Sequence, residues 1–304
     1  MLEPDDLVLC AGTVLGSGFR ERAEAASAAG FAGITLWAQD WQRALDEGLT
    51  AADMRALLDD NGLTIGELDA VTDWLPKAPV QGADAAADAD TAAFAVPADV
   101  FWGMAEALGA RSLNVVEIAG AAVETERAAE AFAELCDRAA GYGLLVHLEF
   151  LPWSGIPDIR AAAEIVGLAD RPNGGILLDT WHLHRSGGTA ADLGPDLARR
   201  VNGIQISDAP ALPAVPEVPA DGAPGTGGTA TDGTRAMDLM DETMHRRLLP
   251  GQGDADVAGV LAALRAAGVD APVGVEVFSD DLARLGTAAA AQAAAAAARA
   301  VLAR

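Results

Sequence analysis

Several large protein classes depend on residues that this chain has few of. Of its 304 residues only Cys10 and Cys136 are cysteine, too few for a disulfide framework, so both read as packing residues in a reducing compartment. Lys77 is the one lysine among 20 basic residues and sits in the turn-like Leu75-Pro-Lys-Ala-Pro79. A Schiff-base aldolase or a pyridoxal enzyme needs a desolvated lysine at its reaction centre, so both are disfavoured. No Gly-x-Gly-x-x-Gly follows an early strand-like run, which argues against a dinucleotide fold. The acidic start Met1–Asp6 lacks the basic and apolar parts of a secretory signal, and a cytoplasmic protein is expected. No run of about 18 strongly apolar residues occurs. Ala288–Ala303 is continuous but small, and reads as an alanine-rich terminal helix. Basic charge is scarce too: 20 Lys+Arg against 45 Asp+Glu leave a net charge of −25, which repels phosphate backbones and anionic lipid. Neither nucleic acid nor a membrane is expected as a partner.

What is present is a repeat of short apolar runs and amphipathic stretches. Strands are expected at Leu7–Val14, Gly33–Trp37, Leu63–Leu68, Ser112–Ile118, Leu144–Glu149, Gly175–Asp179, Val201–Ser207 and Pro272–Val277. Helical patterns separate them: Phe19–Ala29, Ala51–Asp60, Ala98–Leu108, Glu124–Ala140, Ile159–Leu168, Ala190–Leu197 and Asp256–Ala267, with Ser279–Leu302 at the end. Thr50 and Ser279 stand where N-caps belong, and Gly30, Gly62 and Gly268 where helices stop. Eight strand–helix repeats in a chain of this length favour one α/β domain over residues 1–304, a (β/α)8 barrel, over an open doubly wound sheet. Two stretches interrupt the rhythm after strands 3 and 7: the low-complexity Gly82–Ala92 and the Pro/Gly-rich Ala209–Thr234. The second leads into Ala236–Leu249, whose Met237, Leu239, Met240, Met244 and Leu248 have partly helical spacing. Residues 209–249 thus read as a flexible insertion that either ends in a lid helix or has no function of its own.

Four acceptor side chains lie at or next to the ends of successive strands: Glu149, Asp179, Gln205 and Glu276. Their neighbours are apolar, as in Val146-His-Leu-Glu-Phe150 and Val273-Gly-Val-Glu-Val-Phe278. Each carboxylate taken singly either meets a cation or pairs with an arginine, because burying it alone is costly. Three in the same relative place on three strands of a parallel barrel point to a divalent metal site at its mouth. Gln205 is the weaker member, since a strand amide often just satisfies buried hydrogen bonds. Trp37, Trp74, Trp153 and Trp181 also fall at or soon after strand ends, where rings can pack against a sugar or cyclic substrate, although core packing explains any single one equally well. Arg185 and Arg247 are candidate clamps for a carboxylate or phosphate. His147 and His184 read as structural.

In their order, Glu149, Asp179-x-x-His182, Ile204-Gln-Ile-Ser-Asp208 and Glu276 resemble the xylose isomerase-like barrel superfamily over nearly the whole chain. The resemblance implies one divalent ion, manganese, magnesium or cobalt, held by Glu149, Asp179, the residue at 205 and Glu276. Gln205 stands where the related ketose epimerases have His, which is similar to the hydroxypyruvate isomerase-like and 3-dehydroshikimate dehydratase-like branches. Arg247-Leu-Leu-Pro-Gly-Gln-Gly-Asp254 looks like the Arg and Pro-Gly-x-Gly turn of those branches. It further implies proton abstraction next to a carbonyl through an enediolate, with Glu149 and Glu276 as acid and base and His182 as a proton shuttle or substrate contact. Trp37, Trp153, Trp181 and Arg247 would bind substrate, and a homo-oligomer is implied. An isomerase or epimerase of a keto sugar or cyclic polyol is the expected activity; a dehydratase of the dehydroshikimate or inosose type and an inactive binding barrel are the alternatives. True xylose isomerases use a lysine with no counterpart here, and endonuclease IV-type enzymes need more histidine than the four present.

Overall fold

The computed structural model describes residues 2–75, 96–210 and 232–304. Lys77, Gly82–Ala92 and residues 211–231 of the second insertion lie outside them. Eight parallel strands close into a barrel in chain order. They are β1 (Leu7–Leu9), β2 (Gly33–Trp37), β3 (Thr64–Val71), β4 (Ala110–Val116), β5 (Leu145–Glu149), β6 (Gly174–Asp179), β7 (Val201–Ile206) and β8 (Val273–Val275). The ring is completed by the pairing of Leu7 with Val273 and of Leu9 with Val275. Strands packed on both faces read as continuous apolar runs, and Ile176, Leu177 and Leu178 of β6 are at most 1% exposed. Since all strands run one way, every strand end that carries an acidic residue opens on the same rim.

Helices wrap the outside. Phe19–Ala29 stops at Gly30, whose φ of 76° is left-handed and costs glycine nothing. Ala51–Asp60 starts at Thr50 with a capping box to Asp53. The terminal helix Thr287–Leu302 lays Ala290, Ala291, Ala294, Ala295 and Ala298 against the barrel, all at most 1% exposed. Small side chains let it approach closely, which accounts for the alanine run. Among the described residues no helix is long and apolar enough to cross a membrane.

Four elements depart from expectation. β1 ends at Leu9, and Ala11–Val14 turns into a 3-10 helix in which Thr13 Oγ1 donates to Val275 O at 2.8 Å. Ala38–Asp46 is helical directly after β2, with no side-chain cap to announce it. Ala190–Leu197 divides into Ala190–Asp192 and Pro195–Ala198, because Pro195 starts a new turn. Ser279–Leu302 breaks at Gly286, where φ is 79°. The second insertion returns as the helix Asp232–His245, after which Asp208 and Leu248 form an antiparallel bridge. Asp208 also accepts from the amides of Gly251 at 2.9 Å and Ala255 at 2.8 Å, which fixes the Pro-Gly-Gln-Gly turn beside β7.

Candidate functional site

The site grows from the end of β6. Asp179 is both the last strand residue and the N-cap of the helix Thr180–Arg185: its Oδ1 accepts from the amides of Trp181 at 2.6 Å and His182 at 3.1 Å. Capping satisfies the first helical amides and sets His182 one turn from the strand end. From there His182 Nε2 lies 3.4 Å from Glu149 Oε1, at the end of neighbouring β5. One ligand-capable atom from each of Glu149, Asp179 and His182 lies within 4.8 Å of the others, and all three residues are buried. Glu149 Oε2 accepts from Asn114 Nδ2 at 2.6 Å.

Arg247 closes the opposite side. Its Nη1 is 2.6 Å from Asp179 Oδ2 and 3.5 Å from Glu276 Oε2, and its Nη2 lies 3.3 Å from His182 Nε2. Thr243 steadies it, the hydroxyl accepting from Nε at 3.1 Å and Nη2 at 2.8 Å. Burial opposes the guanidinium charge, but Asp179, Glu276 and Glu149 more than offset it and push its pKa up. Glu276 is pushed well above the usual carboxylate range, chiefly by burial, with Asp69, Glu149 and Asp179 adding to the shift and Arg247 opposing it.

The remaining expected residues divide. Trp153 and Trp181 stand edge to face against each other and against His182, with ring centroids 5.2 to 6.3 Å apart. Trp37 stacks on Phe278 at 6.0 Å and donates to Asp69 Oδ2 at 3.2 Å. Trp74 is a packing residue: it is buried, and its indole donates to Val116 O at 2.9 Å. Arg185, expected as an anion clamp, is already engaged, pairing with Glu242 Oε1 at 2.6 Å and donating to Pro210 O at 2.7 Å. Gln205 pairs in register with Asp179, but its amide nitrogen bonds Glu67 Oε1 at 3.3 Å. His147, two residues before Glu149, bonds Glu67 through Nδ1.

Glu67, Asp69, Asn114, Glu242 and Thr243 belong to this constellation and were not anticipated. The signal for the first two was the one used elsewhere, acidic residues inside an apolar strand, in Gly66-Glu-Leu-Asp69. Asp69 accepts from Asn114 Nδ2 at 2.9 Å. Its carboxyl is pushed up to about 8 by burial first, then by Glu67 and Glu149.

The donor set fits a divalent cation. Two carboxylates and an imidazole bring one ligand atom each within 4.8 Å of one another, and Gln205 Oε1 and His182 Nδ1 are buried without a hydrogen-bond partner among the described residues.

Comparison with known proteins adds a lineage. The family model described as xylose isomerase-like TIM barrel matches residues 23–303. A 3-dehydroshikimate dehydratase of Pseudomonas aeruginosa is 30% identical over 148 residues, 48% of this chain and 20% of that protein. An inosose isomerase of Bacillus subtilis is 29% identical over 163 residues, 53% of this chain and 50% of that protein. The chain therefore matches half or less of the length of both relatives. In fold it is similar to the crystal structure of the IolI protein with a bound zinc atom, at a TM-score of 0.76 and 21% identity, covering 98% of each chain.

Proposed function

We propose that this chain, which belongs to the xylose isomerase-like TIM barrel family, is a divalent-metal-dependent enzyme that isomerises or epimerises a keto sugar or cyclic polyol ketone. The observation that carries the reading is the buried convergence of Glu149, Asp179 and His182 at the carboxyl ends of the strands. Glu149, Asp179, Gln205 and Glu276 are the proposed ligands. A divalent cation bound there supplies Lewis-acid polarisation of a substrate carbonyl, which eases loss of the adjacent proton. The two relatives, a 3-dehydroshikimate dehydratase and an inosose isomerase, point to a cyclic substrate, a shape suited to the half-buried Trp153, whereas Trp181 is 0% exposed and lies under Arg185 and Arg247.

In this reading Glu149 takes the proton on the carbon next to the carbonyl. Glu276, three strands away, approaches from the other side and returns a proton to the neighbouring atom. His182, whose Nε2 lies 3.4 Å from Glu149 Oε1, is assigned the substrate-oxygen contact or the proton shuttle. Arg247 pairs with Asp179 and sets its second terminal nitrogen against His182 Nε2. General acid and base groups of this kind are worth about 10²–10⁴-fold each.

A dehydratase is the second reading, favoured by the 30% identity to the Pseudomonas protein. It begins with the same proton loss at Glu149 and ends with departure of the β-hydroxyl, protonated by His182. One experiment separates the readings: incubation with manganese in deuterium oxide with inososes and with 3-dehydroshikimate, followed by mass spectrometry. Deuterium in a product of unchanged formula supports the isomerase, and loss of water supports the dehydratase. Elemental analysis comes first, on the native chain and on an Asp179→Ala/Glu276→Ala double variant, both reloaded and desalted. About one equivalent held only by the native chain is the expected result; none in either removes the metal mechanism.

A further inference from the structure

Beneath the rim lies a polar layer that the mechanism above does not use. Glu67 is 5% exposed in the middle of β3. His147 Nδ1 bonds its Oε2, Ser112 Oγ lies 3.2 Å from the same oxygen, and Gln205 Nε2 donates to Oε1 at 3.3 Å. We propose that Glu67 is a positioning residue of the metal site: it turns the Gln205 amide so that the carbonyl oxygen, and not the NH2 group, is the atom left to bind. The inference rests on the reading of Gln205 as a ligand.

Gln205 turns its NH2 group to Glu67 Oε1, a carboxylate oxygen accepting what an amide nitrogen donates. Gln205 Oε1 is then turned away from Glu67, and it is the atom found buried without a partner among the described residues. Packing holds both neighbours in place. A Cβ on Gly203 would stand 2.5 Å from His147 Nδ1, and one on Gly274 would stand 3.1 Å from Gln205 Cγ. Gln205's own strand, β7, and the neighbouring β8 therefore carry glycine where the His147 ring and the Gln205 stem lie. Glu67 also explains the residue type at 205. A third carboxylate beside it would meet like charge in a buried setting, whereas an amide or an imidazole can donate a hydrogen to it and keep its other atom for a cation.

The arrangement predicts a polarity exchange. In Glu67→Gln the new amide uses its oxygen for His147 and its NH2 group for position 205. Gln205 must then turn over and present NH2 to the cation. In Gln205→Glu two carboxylates face each other. In the double variant Glu67→Gln/Gln205→Glu the new amide donates to the new carboxylate, whose second oxygen is free to bind.

Manganese binding to the full chain, followed by titration calorimetry with the melting temperature of the metal-free form as a control, tests this. The expected result is a loss of about 10–100-fold in affinity for each single variant, the usual range for an outer-shell partner, and recovery in the double variant to well above either single one. Wild-type affinity in Glu67→Gln, or a double variant no tighter than the singles, overturns the inference and leaves the metal site standing. Absence of manganese from the wild-type chain overturns the site and the inference together. The double variant keeps the test decisive if Glu67→Gln melts early.

Discussion

Arg247 Nη1 lies 2.6 Å from Asp179 Oδ2, and the two side chains are 3% and 0% exposed. The pair links β6 to the segment that returns from the second insertion, and it places a fixed positive charge against a proposed ligand. A buried ion pair stripped of one member costs about 3–5 kcal/mol.

Arg247→Met is therefore expected to lower stability by about that amount. Manganese should restore part of it, because a bound cation faces the carboxylate that lost its partner. Thermal unfolding with and without manganese checks this: the metal should raise the melting temperature more in the variant than in the native chain.

Asp69 gives a pH dependence with a definite sign. Its folded-state carboxyl is pushed up to about 8, against about 3.9 in an unfolded chain. The folded form thus holds a proton that the unfolded form releases. The associated stability is present at pH below the unfolded value and is lost as pH rises toward 8. Asp69→Asn should flatten the stability profile between those limits. At the acidic end it should cost about 1 kcal/mol for the weakened bond from Trp37. Urea titrations across that range measure both effects, and an unchanged slope would show that Asp69 does not titrate there.

The two thiols should be inert in the native protein. Burial pushes Cys136 up to about 12, with Asp137 adding and Arg171 opposing. Cys10 is raised well above the thiol range by burial and then by Glu276, Glu67, Asp69 and Asp179. Because the thiolate is the reactive form, a colorimetric thiol reagent at pH 8 should count no cysteine before denaturation and two after it.

Thr243 accepts from two nitrogens of Arg247. Thr243→Val keeps the shape and removes the acceptor, at an expected cost of about 1–3 kcal/mol. In the proposed reaction the guanidinium would be left less well placed, so turnover should fall more than global stability predicts. Equal losses in Thr243→Val and in a remote surface variant of matched stability would dismiss a role for this contact.

The barrel was legible because eight apolar runs keep step with eight helical patterns, and because Thr50 and Gly30 mark helix ends by local chemistry. The acidic strand ends were legible for the same reason: Glu149, Asp179 and Glu276 interrupt apolar runs where parallel strands share a rim. Pairings across the barrel were not. Glu67 meets Gln205 at a separation of 138 residues, and Arg247 meets Asp179 at 68. Nothing local in either segment names the partner. The Ala38–Asp46 helix was missed because Trp37 supplies no capping side chain, and the packing role of Trp74 depends on a carbonyl from β4.

The bridge between Asp208 and Leu248 has an evolutionary consequence. Chain departs from β7 and comes back beside it through two backbone hydrogen bonds of 2.8 and 2.9 Å, while Thr243 and Arg247 are held from the returning side. Asp208 and Leu248 fasten the departing and returning chain to each other, so Arg247 takes its place from these contacts and from Asp179. The bridge acts as a clasp: what holds Arg247 lies at Asp208, Leu248, Thr243 and Asp179, so changes in the intervening sequence need not disturb the acids or the arginine.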